Sequence, residues 1–208
     1  MIRMIFSRGV LLVALAFGLP AAVRAQDATP PVKGANVDSA VLEVVEFSDF
    51  QCPYCARALP VLDSLAALHG AEVRLLYRHY PLSSIHPDAE RAAQAAVEAH
   101  RQGAFWDYHD LLFRHQDRLA GADLIGYADS LGLDAEAFAE ALGAGTHAAA
   151  VAADRELGAT LGVTGTPTFF VNGYRVVGVP PIWVFEEAIR AFRRGTAERR
   201  PLTAPGGR

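Results

Sequence analysis

The sequence predicts an α/β fold in which an all-helical segment interrupts a mixed β-sheet domain. Three observations indicate this fold. A β-branched run at residues 41–48 leads into a helix-like run and then into a second strand-like run. Residues 85–159 have helix-like periodicity and no strand-like run. Strand signals then return on both sides of Asn172-Gly173, which is typical of a two-residue hairpin turn because both central residues must take positive φ.

Each element follows from its own local pattern. Residues 56–69 carry apolar side chains at helical spacing, and they separate the strand at 41–48 from one predicted at 71–77. Strand, helix and strand in this order give a right-handed crossover with parallel strands. Glycines divide the helical segment into helices predicted at 88–102, 104–119, 122–131, 134–142 and 146–161. The hairpin strands are predicted at 168–171 and 174–179, and a closing amphipathic helix at 182–192.

The first 25 residues have the pattern of a secretory signal peptide. Arg3 and Arg8 give a positive start, a short apolar stretch follows, and small residues precede a cleavage site after Ala25. The apolar core of about ten residues is too short to span a bilayer, which takes roughly 20. We therefore expect an exported, periplasmic protein, with an uncleaved membrane anchor as the alternative.

The remaining segments have distinct compositions. Pro30-Pro31 and Gly34 predict a flexible lead-in. The predicted organisation is a signal peptide (1–25), a flexible lead-in (26–37), a sheet domain in two parts (38–84 and 160–194), a helical insert (85–159) and a basic tail (195–208). The arginine pairs at 193–194 and 199–200 are interpreted as a solvated helix end and tail, where cations suit a helix C-terminus.

The charge balance excludes one class of function. The formal net charge is −4 at pH 7, and loss of residues 1–25 would make the mature chain more acidic. Nucleic-acid-binding proteins carry a basic patch instead. We expect no nucleic-acid partner, and we expect a monomer.

The two cysteines carry the strongest chemical signal. They lie three residues apart in Cys52-Pro53-Tyr54-Cys55, where the strand at 41–48 gives way to a helix. Both sulfurs are therefore expected on one face of the first helical turn. Backbone N–H groups without a helical partner favour a thiolate there, and the thiolate is the reactive form. The pair is predicted to be a redox-active dithiol.

Two other roles fit the cysteine pair less well. A bridge between Cys52 and Cys55 closes a tiny loop and would stabilise the fold far less than a long-range disulfide. A zinc site takes about four ligands, whereas the chain has no histidine pair at i, i+4 and places His109 and His115 on different helix faces. We expect no metal site and no cofactor.

Three blocks of the sequence point to a family. They are FSDFQCPYC at 47–55, FWDYHDLLF at 105–113 and GVTGTPTFFVNG at 162–173. Together, and in this order, they resemble the DsbA-like thioredoxin-fold family of thiol–disulfide oxidoreductases, over roughly residues 32–192. The resemblance implies a thioredoxin fold with an inserted all-helical domain. It also implies disulfide exchange with exported proteins.

The resemblance also implies roles for individual residues. Cys52 would be an exposed nucleophile and Cys55 the resolving thiol, while Pro53 suits the first helical turn. The Thr166-Pro167 bond would be cis, against the general preference for trans, and would present the backbone of Thr166 to an extended substrate segment.

Other residues near the cysteines have more than one interpretation. Glu46 would be a buried acid that exchanges a proton with the resolving thiol; the alternative is a solvent-facing strand residue. Asp49 is interpreted as a turn or cap residue. His79, His86 and His109 are interpreted as structural.

One residue departs from the strongly oxidising members of the family. Tyr54 stands where those proteins have a histidine, and its neutral hydroxyl stabilises a neighbouring thiolate less than a cationic or donor imidazole. We therefore expect a weaker oxidant, with a reduction potential between about −120 mV and roughly −230 mV.

The predicted function is an exported oxidoreductase that donates disulfides to unfolded or partly folded proteins and is reoxidised by a membrane partner. A reductase or isomerase on the same scaffold is the alternative. A dimeric isomerase is disfavoured, because few residues separate the predicted cleavage site from the first family block. A metal carrier or a holdase is the alternative from a different class.

Overall fold

A computed structural model describes residues 29–202 of the chain. The strands in this range are β1 (Val32–Gly34), β2 (Leu42–Ser48), β3 (Val73–His79), β4 (Thr168–Val171) and β5 (Tyr174–Val177). The helices in this range are α1 (Pro53–His69), α2 (Ala89–Arg101), α3 (Phe105–Arg114), α4 (Gly121–Ser130), α5 (Ala135–Ala144), α6 (Ala148–Thr160) and α7 (Ile182–Arg193). The predicted signal peptide lies outside the described residues.

The five strands form one mixed sheet in the order β1-β3-β2-β4-β5. Strands β2 and β3 run parallel, as the strand–helix–strand pattern predicts, with Glu46 opposite Tyr77 and Ser48 opposite His79. Strand β4 lies antiparallel to β2 and places Phe169 opposite Glu46. The central strand β2 is therefore paired on both sides, so a side chain at position 46 projects from the middle of the sheet.

Helices cover both faces of this sheet. On one face, α1 and α7 cover an apolar cluster of buried residues: Leu42, Val44, Leu62, Leu65, Phe169, Phe185 and Ile189. On the other face, the end of α6 and the loop after it cover a second cluster: Val45, Phe47, Leu157, Leu161, Val163 and Phe170. Because side chains alternate along a strand, Glu46 shares the face of Val44 and lies on the side of the sheet that α1 covers.

The insert packs against the start of α1. Its core combines small residues of α2 with larger ones from the next helices: Ala92, Ala95, Ala96, Ala99, Phe105, Tyr108, Leu112, Leu124 and Phe138. The alanines leave room for α3 to approach α2 closely. The same cluster includes Phe50, Cys52, Cys55 and Tyr77. The insert thus forms one wall around the cysteine pair, and the α/β fold with a helical insertion is confirmed.

The predicted hairpin is present between β4 and β5. The φ angle is +45° at Asn172 and +84° at Gly173. The Asn172 side chain accepts a hydrogen bond from the backbone N–H of Glu43 at 2.8 Å and donates one to the carbonyl of Val41 at 3.0 Å. A side chain at position 173 would collide with the backbone of Arg200. Glycine is therefore required there by the turn and by the chain that crosses it.

The predicted flexible lead-in contains regular structure. Strand β1 pairs antiparallel with β3. The carbonyl of Val32 accepts a hydrogen bond from Trp106 Nε1 at 3.0 Å, and the carbonyl of Pro31 accepts one from the backbone N–H of Tyr77 at 3.1 Å. A three-residue strand after two prolines is too short to give a periodic signal, so the sequence pattern missed it.

The basic tail contacts the domain, while Arg199 and Arg200 remain exposed to solvent. The backbone N–H of Arg200 donates to the carbonyl of Asn172 at 2.9 Å, and its guanidinium lies 4.2 Å from the centre of the Tyr174 ring. The Tyr174 hydroxyl donates to the carbonyl of Glu198 at 3.1 Å. The Tyr174 ring is thus the partner of the Arg200 cation, and the carbonyl oxygens of Ala40 and Val41 accept hydrogen bonds from the Arg199 guanidinium.

Two other features bear on the site. Helix α3 ends at Arg114, whereas the sequence pattern predicts helix as far as residue 119. The early end lets the chain turn, so that Gln116 reaches the cysteine loop. No helix within residues 29–202 is long and apolar enough to cross a membrane.

Candidate active site

The cysteine pair lies at the start of α1. Cys52 is the N-cap residue, with an extended backbone (φ −73°, ψ 120°), and Pro53 occupies the first helical position. A proline is well tolerated there because the N–H it lacks would have no helical partner. Cys55 lies in the first turn and is fully buried, and both cysteines are free thiols. The sequence prediction that both sulfurs share the first turn is confirmed.

The Cys52 sulfur faces the loop before β4. Its Sγ atom lies 3.4 Å from the carbonyl oxygen of Thr166, to which the neutral thiol donates a hydrogen bond. The Thr166–Pro167 peptide bond is cis. Cys52 is only 3 % exposed, so the expectation of an exposed nucleophile is wrong for this reduced form. The residue is enclosed because the Thr166 loop and the insert both contact it.

The surroundings of Cys52 stabilise its thiolate. They lower its pKa from an ordinary 9.0 to about 5. The largest cause is a hydrogen bond from the Cys55 thiol; burial opposes the shift; the Thr166 hydroxyl and the backbone N–H groups of Cys55 and Tyr54 lower the pKa further. The sequence argument has the right direction, but it assigns the main effect to the backbone, whereas the neighbouring thiol contributes more.

The pKa of Cys55 is shifted in the opposite direction to that of Cys52. Burial is the largest cause that raises its pKa well above the ordinary value, and the Cys52 sulfur and the Glu46 carboxylate raise it further. At neutral pH the pair therefore holds one thiolate, on Cys52, and one thiol, on Cys55. The nucleophilic thiolate of Cys52 and the protonated resolving thiol of Cys55 therefore lie next to each other at the start of the same helix.

Glu46 lies beneath this pair on β2. It is 5 % exposed, so the interpretation of a solvent-facing strand residue is wrong. Burial raises the pKa of Glu46 to about 7. Its Oε1 atom has no hydrogen-bond partner within residues 29–202. A carboxyl group with this pKa exchanges protons readily at neutral pH, and its charge acts on the Cys55 thiol.

Comparison with known proteins identifies the family. The model of the DSBA-like thioredoxin domain matches residues 43–190, which include the cysteine pair, the insert and the Thr166 loop. The chain belongs to the DSBA-like thioredoxin domain family. The family prediction from the three sequence blocks is confirmed.

Solved structures have the same architecture as this DSBA-like domain. A thioredoxin-like oxidoreductase from Silicibacter pomeroyi DSS-3 is 30 % identical, with a TM-score of 0.70, over 81 % of this chain and 94 % of that one. Oxidised BdbD from Bacillus subtilis is 25 % identical, with a TM-score of 0.71, over 80 % of this chain and 94 % of that one. The fold is therefore that of DsbA-like thiol–disulfide oxidoreductases.

Curated relatives match the DSBA-like domain as part of a longer protein. A protein of Salinispora tropica named Na(+)/H(+) antiporter NhaA 3 is 45 % identical over 169 residues, which are 81 % of this chain and 25 % of that protein. A second, NhaA 1 of Salinispora arenicola, is 44 % identical over 160 residues. The chain spans about a quarter of the length of these relatives.

The DSBA-like domain also uses residues that the sequence did not single out. Gln116, in the loop after α3, donates from Nε2 to the carbonyl of Phe50 at 2.7 Å and to the carbonyl of Cys52 at 3.0 Å. It holds the backbone on both sides of Gln51. Nothing in the sequence marks it, because a lone glutamine in a loop has no periodic or motif context.

A second network fixes the loop that leads into the cysteines. Asp49, which is buried, accepts hydrogen bonds from the backbone N–H of Gln51 at 2.7 Å, the backbone N–H of Leu82 at 2.8 Å and His86 Nδ1 at 2.7 Å. Its bond to Gln51 is the turn role that the sequence predicts. Its bonds to Leu82 and His86 go further, because they tie the cysteine loop to the segment before α2.

Tyr54 is the exposed member of the cysteine motif. It is 55 % exposed, and the Arg57 guanidinium lies 4.0 Å from the centre of its ring. The ring and the cation stabilise each other by a cation–π contact. The Tyr54 side chain is therefore not among the hydrogen-bond donors that lower the pKa of Cys52.

Within residues 29–202, no group of three or more potential ligands is arranged to hold a metal ion.

Proposed function

We propose that the chain is an exported protein thiol–disulfide oxidoreductase that donates its Cys52–Cys55 disulfide to protein thiols. The observation that carries the proposal is the placement of the two cysteines in one helical turn, with Cys52 at the N-cap beside the Thr166 loop and Cys55 fully buried. This placement shifts their pKa values in opposite directions, down to about 5 for Cys52 and well upward for Cys55. This asymmetry gives the two sulfurs different tasks. Cys52 is a good leaving group and nucleophile, and Cys55 accepts a proton as it leaves.

The reaction transfers two electrons in two exchange steps. A substrate thiolate attacks the Cys52 sulfur of the oxidised protein, the Cys52–Cys55 bond breaks, and Cys55 leaves as a thiolate that takes a proton from Glu46. A second substrate thiolate then attacks the substrate sulfur of the mixed disulfide, and Cys52 leaves as a stable thiolate. The substrate gains a disulfide, and the protein ends as the reduced dithiol.

The stabilised thiolate favours the oxidising direction. A protein whose reduced form is stabilised gives up its disulfide more readily, which is why DsbA, with a cysteine pKa of about 3.5, is a stronger oxidant than thioredoxin, with a pKa of about 7. Cys52, at about 5, lies between them. We propose a reduction potential between about −120 mV and roughly −230 mV.

The substrates we propose are unfolded or partly folded exported proteins. The Thr166 backbone, which precedes β4 and whose carbonyl faces Cys52, would form backbone hydrogen bonds with an extended substrate segment. Recognition through backbone hydrogen bonds does not depend on particular side chains, so substrates of many different sequences would bind. We further propose a periplasmic location, a monomeric state, no cofactor and no nucleic-acid partner, and reoxidation by a membrane redox protein.

A peptide with two cysteines tests the exchange reaction. The oxidised protein is mixed with the reduced peptide, and acid-quenched samples are analysed by mass. Wild type should oxidise the peptide in stoichiometric amount. Cys52→Ser should lose the reaction, whereas Cys55→Ser, loaded at Cys52 with a small leaving thiol, should hold a one-cysteine version of the peptide as a stable mixed disulfide. Full activity of Cys52→Ser would refute the proposal.

A glutathione titration tests the direction. A potential in the proposed range supports a disulfide donor, whereas a value below about −250 mV, near that of thioredoxin, supports the reductase. Metal analysis of the purified protein addresses the carrier, which would hold about one copper or zinc ion per chain. A holdase would keep its activity after both cysteines are replaced.

A further inference from the structure

A small cavity opens beside Glu46 on the side of the sheet that α1 covers. Glu46 of β2, Leu59, Leu62 and Asp63 of α1, and Trp106, His109 and Asp110 of α3 contribute to its walls, with Lys33 of β1 at its edge. Its volume is about 20 Å³, which is room for one or two waters, since one water needs about 10–15 Å³. The cavity thus brings Glu46 of the sheet together with His109 and Asp110 of the insert.

Two residues that line the cavity each have a buried polar atom for which the described part of the chain supplies no hydrogen-bond partner. These atoms are Oε1 of Glu46 and Nε2 of His109. The two residues are 5 % and 3 % exposed. Leaving a buried polar atom unsatisfied costs about 1–3 kcal/mol, so a water in this cavity that bonded both atoms would stabilise the folded protein.

The neighbouring residue Asp110 fixes the orientation of the His109 ring. Its Nδ1 atom lies 2.8 Å from Oδ1 of Asp110, whose side chain is 49 % exposed. A carboxylate there selects the tautomer with the proton on Nδ1, which leaves a lone pair on Nε2. The imidazole thus has an acceptor nitrogen without a partner among residues 29–202 and a donor nitrogen bonded to the half-exposed carboxylate of Asp110.

The groups around His109 keep it neutral in the resting state. Burial lowers its pKa, and Asp110 only partly offsets that effect. Aromatic rings surround the imidazole: Phe50, Tyr77, Phe105, Trp106 and Phe113. The charged groups that act on it are Lys33 of β1, Asp63 of α1 and Asp110, while Glu46 shares its cavity. A neutral imidazole of this kind can accept a proton on one nitrogen and release one from the other.

We propose that His109 and Asp110 form the path by which Glu46 exchanges protons with solvent during disulfide transfer. This inference deepens the proposed function and rests on it. In the oxidised protein His109 holds its proton on Nε2. When Cys55 leaves and takes the proton of Glu46, His109 Nε2–H reprotonates the Glu46 carboxylate through a water in the cavity, and Nδ1 takes a proton from solvent beside Asp110. His109 thereby ends as the Nδ1–H tautomer of the reduced protein. When the dithiol is reoxidised, each proton moves in the reverse direction.

The path predicts a pH-dependent effect of removing the imidazole. Below neutral pH, Glu46 already holds a proton for Cys55, because its pKa is about 7. Above that pH the proton must enter from solvent. In a single turnover with the two-cysteine peptide, His109→Ala should match wild type near pH 5.5 and fall behind roughly tenfold near pH 8, a modest loss for a proton-transfer group.

Chemical rescue separates proton transfer from packing. Imidazole added to His109→Ala should restore the rate at alkaline pH, whereas 1-methylimidazole should not, because it fills the same space with one nitrogen blocked. His79→Ala is the matched control. His79 is equally buried and contacts the same aromatic rings, but it does not line this cavity. Its rate should follow wild type across the pH range.

The remaining outcomes are also decisive. Equal slowing of His109→Ala at every pH, no slowing at all, or equal rescue by both imidazoles would overturn the inference. If His109→Ala does not fold, His109→Gln and Asp110→Asn, which lies at the surface, take its place in the same pH comparison. If wild type oxidises the peptide and the His109 variants match its rate at every pH, the proposed function is supported and only the proton path is refuted. Wild type that fails to oxidise the peptide removes both.

Discussion

Gln116 Nε2 donates a hydrogen bond to the carbonyl oxygen of Cys52 at 3.0 Å. The same amide group donates to the carbonyl of Phe50 at 2.7 Å. One side chain of the insert therefore holds the backbone of the nucleophile and that of the loop before it. The insert is a support of the reactive cysteine as well as a wall around it.

Replacement of Gln116 should loosen this support. Gln116→Ala removes the side-chain donor of the Phe50 carbonyl and leaves the Cys52 carbonyl with the backbone N–H of Ala56, and we expect a loss of about 1–3 kcal/mol in the free energy of unfolding of the reduced protein. Gln116→Glu should cost more, because a carboxylate oxygen would face the two carbonyls. Urea unfolding measures both. Asp117→Asn, at the next and exposed position, is the control. Equal stability of Gln116→Ala and Asp117→Asn would contradict the proposed support.

Glu46 should make stability depend on pH with a defined sign. Its pKa is about 7 in the folded protein, above the 4.5 of a free glutamate. Between these values the folded state binds more protons than the unfolded state, so the free energy of unfolding falls as pH rises. At about 1.4 kcal/mol per pKa unit, the loss approaches roughly 3 kcal/mol by pH 8. Glu46→Gln should remove this loss.

The measurement is urea unfolding of reduced protein from about pH 5 to pH 8. The difference in stability between Glu46→Gln and wild type should grow in favour of the variant across this range. Glu43 is the matched control, because it lies on the same strand, is half-buried and pairs with Arg74 at 3.5 Å. Glu43→Gln should show no such growth. A pH-independent difference for Glu46→Gln would contradict the raised pKa.

The sequence predicts local elements well, for physical reasons that are themselves local. Strand β4 matches its prediction, and the Asn172-Gly173 turn takes the positive φ angles that its residue types favour. The cysteine pair lies at the helix start because a β-branched run and a helix-like run meet there. Each of these features depends on neighbours a few residues away, which the sequence places side by side.

The sequence pattern does not predict features that depend on contacts between residues far apart in the chain. Strand β1 forms because β3 and Trp106 supply its partners. Gln116 reaches the cysteine loop only because α3 ends early. Glu46 and His109 lie 63 positions apart and meet at one cavity through the packing of α3 against the sheet. No local period or motif encodes these contacts, so they become visible only in the folded chain.

Tyr54 should set the strength of the oxidant. A histidine at this position adds a cationic donor near the Cys52 thiolate, which stabilises the reduced form. Tyr54→His should lower the pKa of Cys52 by about one unit and raise the reduction potential by about 30 mV, since about 1.4 kcal/mol corresponds to 30 mV for two electrons. Tyr54→Phe should leave the potential unchanged, because it removes only an exposed hydroxyl. A glutathione titration measures both, and an unchanged potential for Tyr54→His would contradict the explanation of the family difference.

The pKa of Cys52 should respond most to its nearest donor. The largest cause of its low pKa is the hydrogen bond from Cys55, and the Thr166 hydroxyl is a smaller one. Hydrogen bonds to a charged group contribute about 1.5–3 kcal/mol, or roughly one to two pKa units. Cys55→Ala should therefore raise the pKa of Cys52 more than Thr166→Val does, whereas Cys55→Ser and Thr166→Ser, which keep a hydroxyl donor, should raise it less than their counterparts.

The rate of iodoacetamide alkylation as a function of pH gives the Cys52 pKa directly, because buried Cys55 keeps its proton in the range of interest. Wild type should give a midpoint near 5. If Cys55→Ala left that midpoint unchanged while Thr166→Val raised it, the hydroxyl and not the neighbouring thiol would be the main donor. A wild-type midpoint near the ordinary value of 9.0 would remove the electrostatic basis of the proposed function. In that case Cys52 would be mostly a thiol at neutral pH, and the disulfide would have no stabilised leaving group to favour its transfer to a substrate.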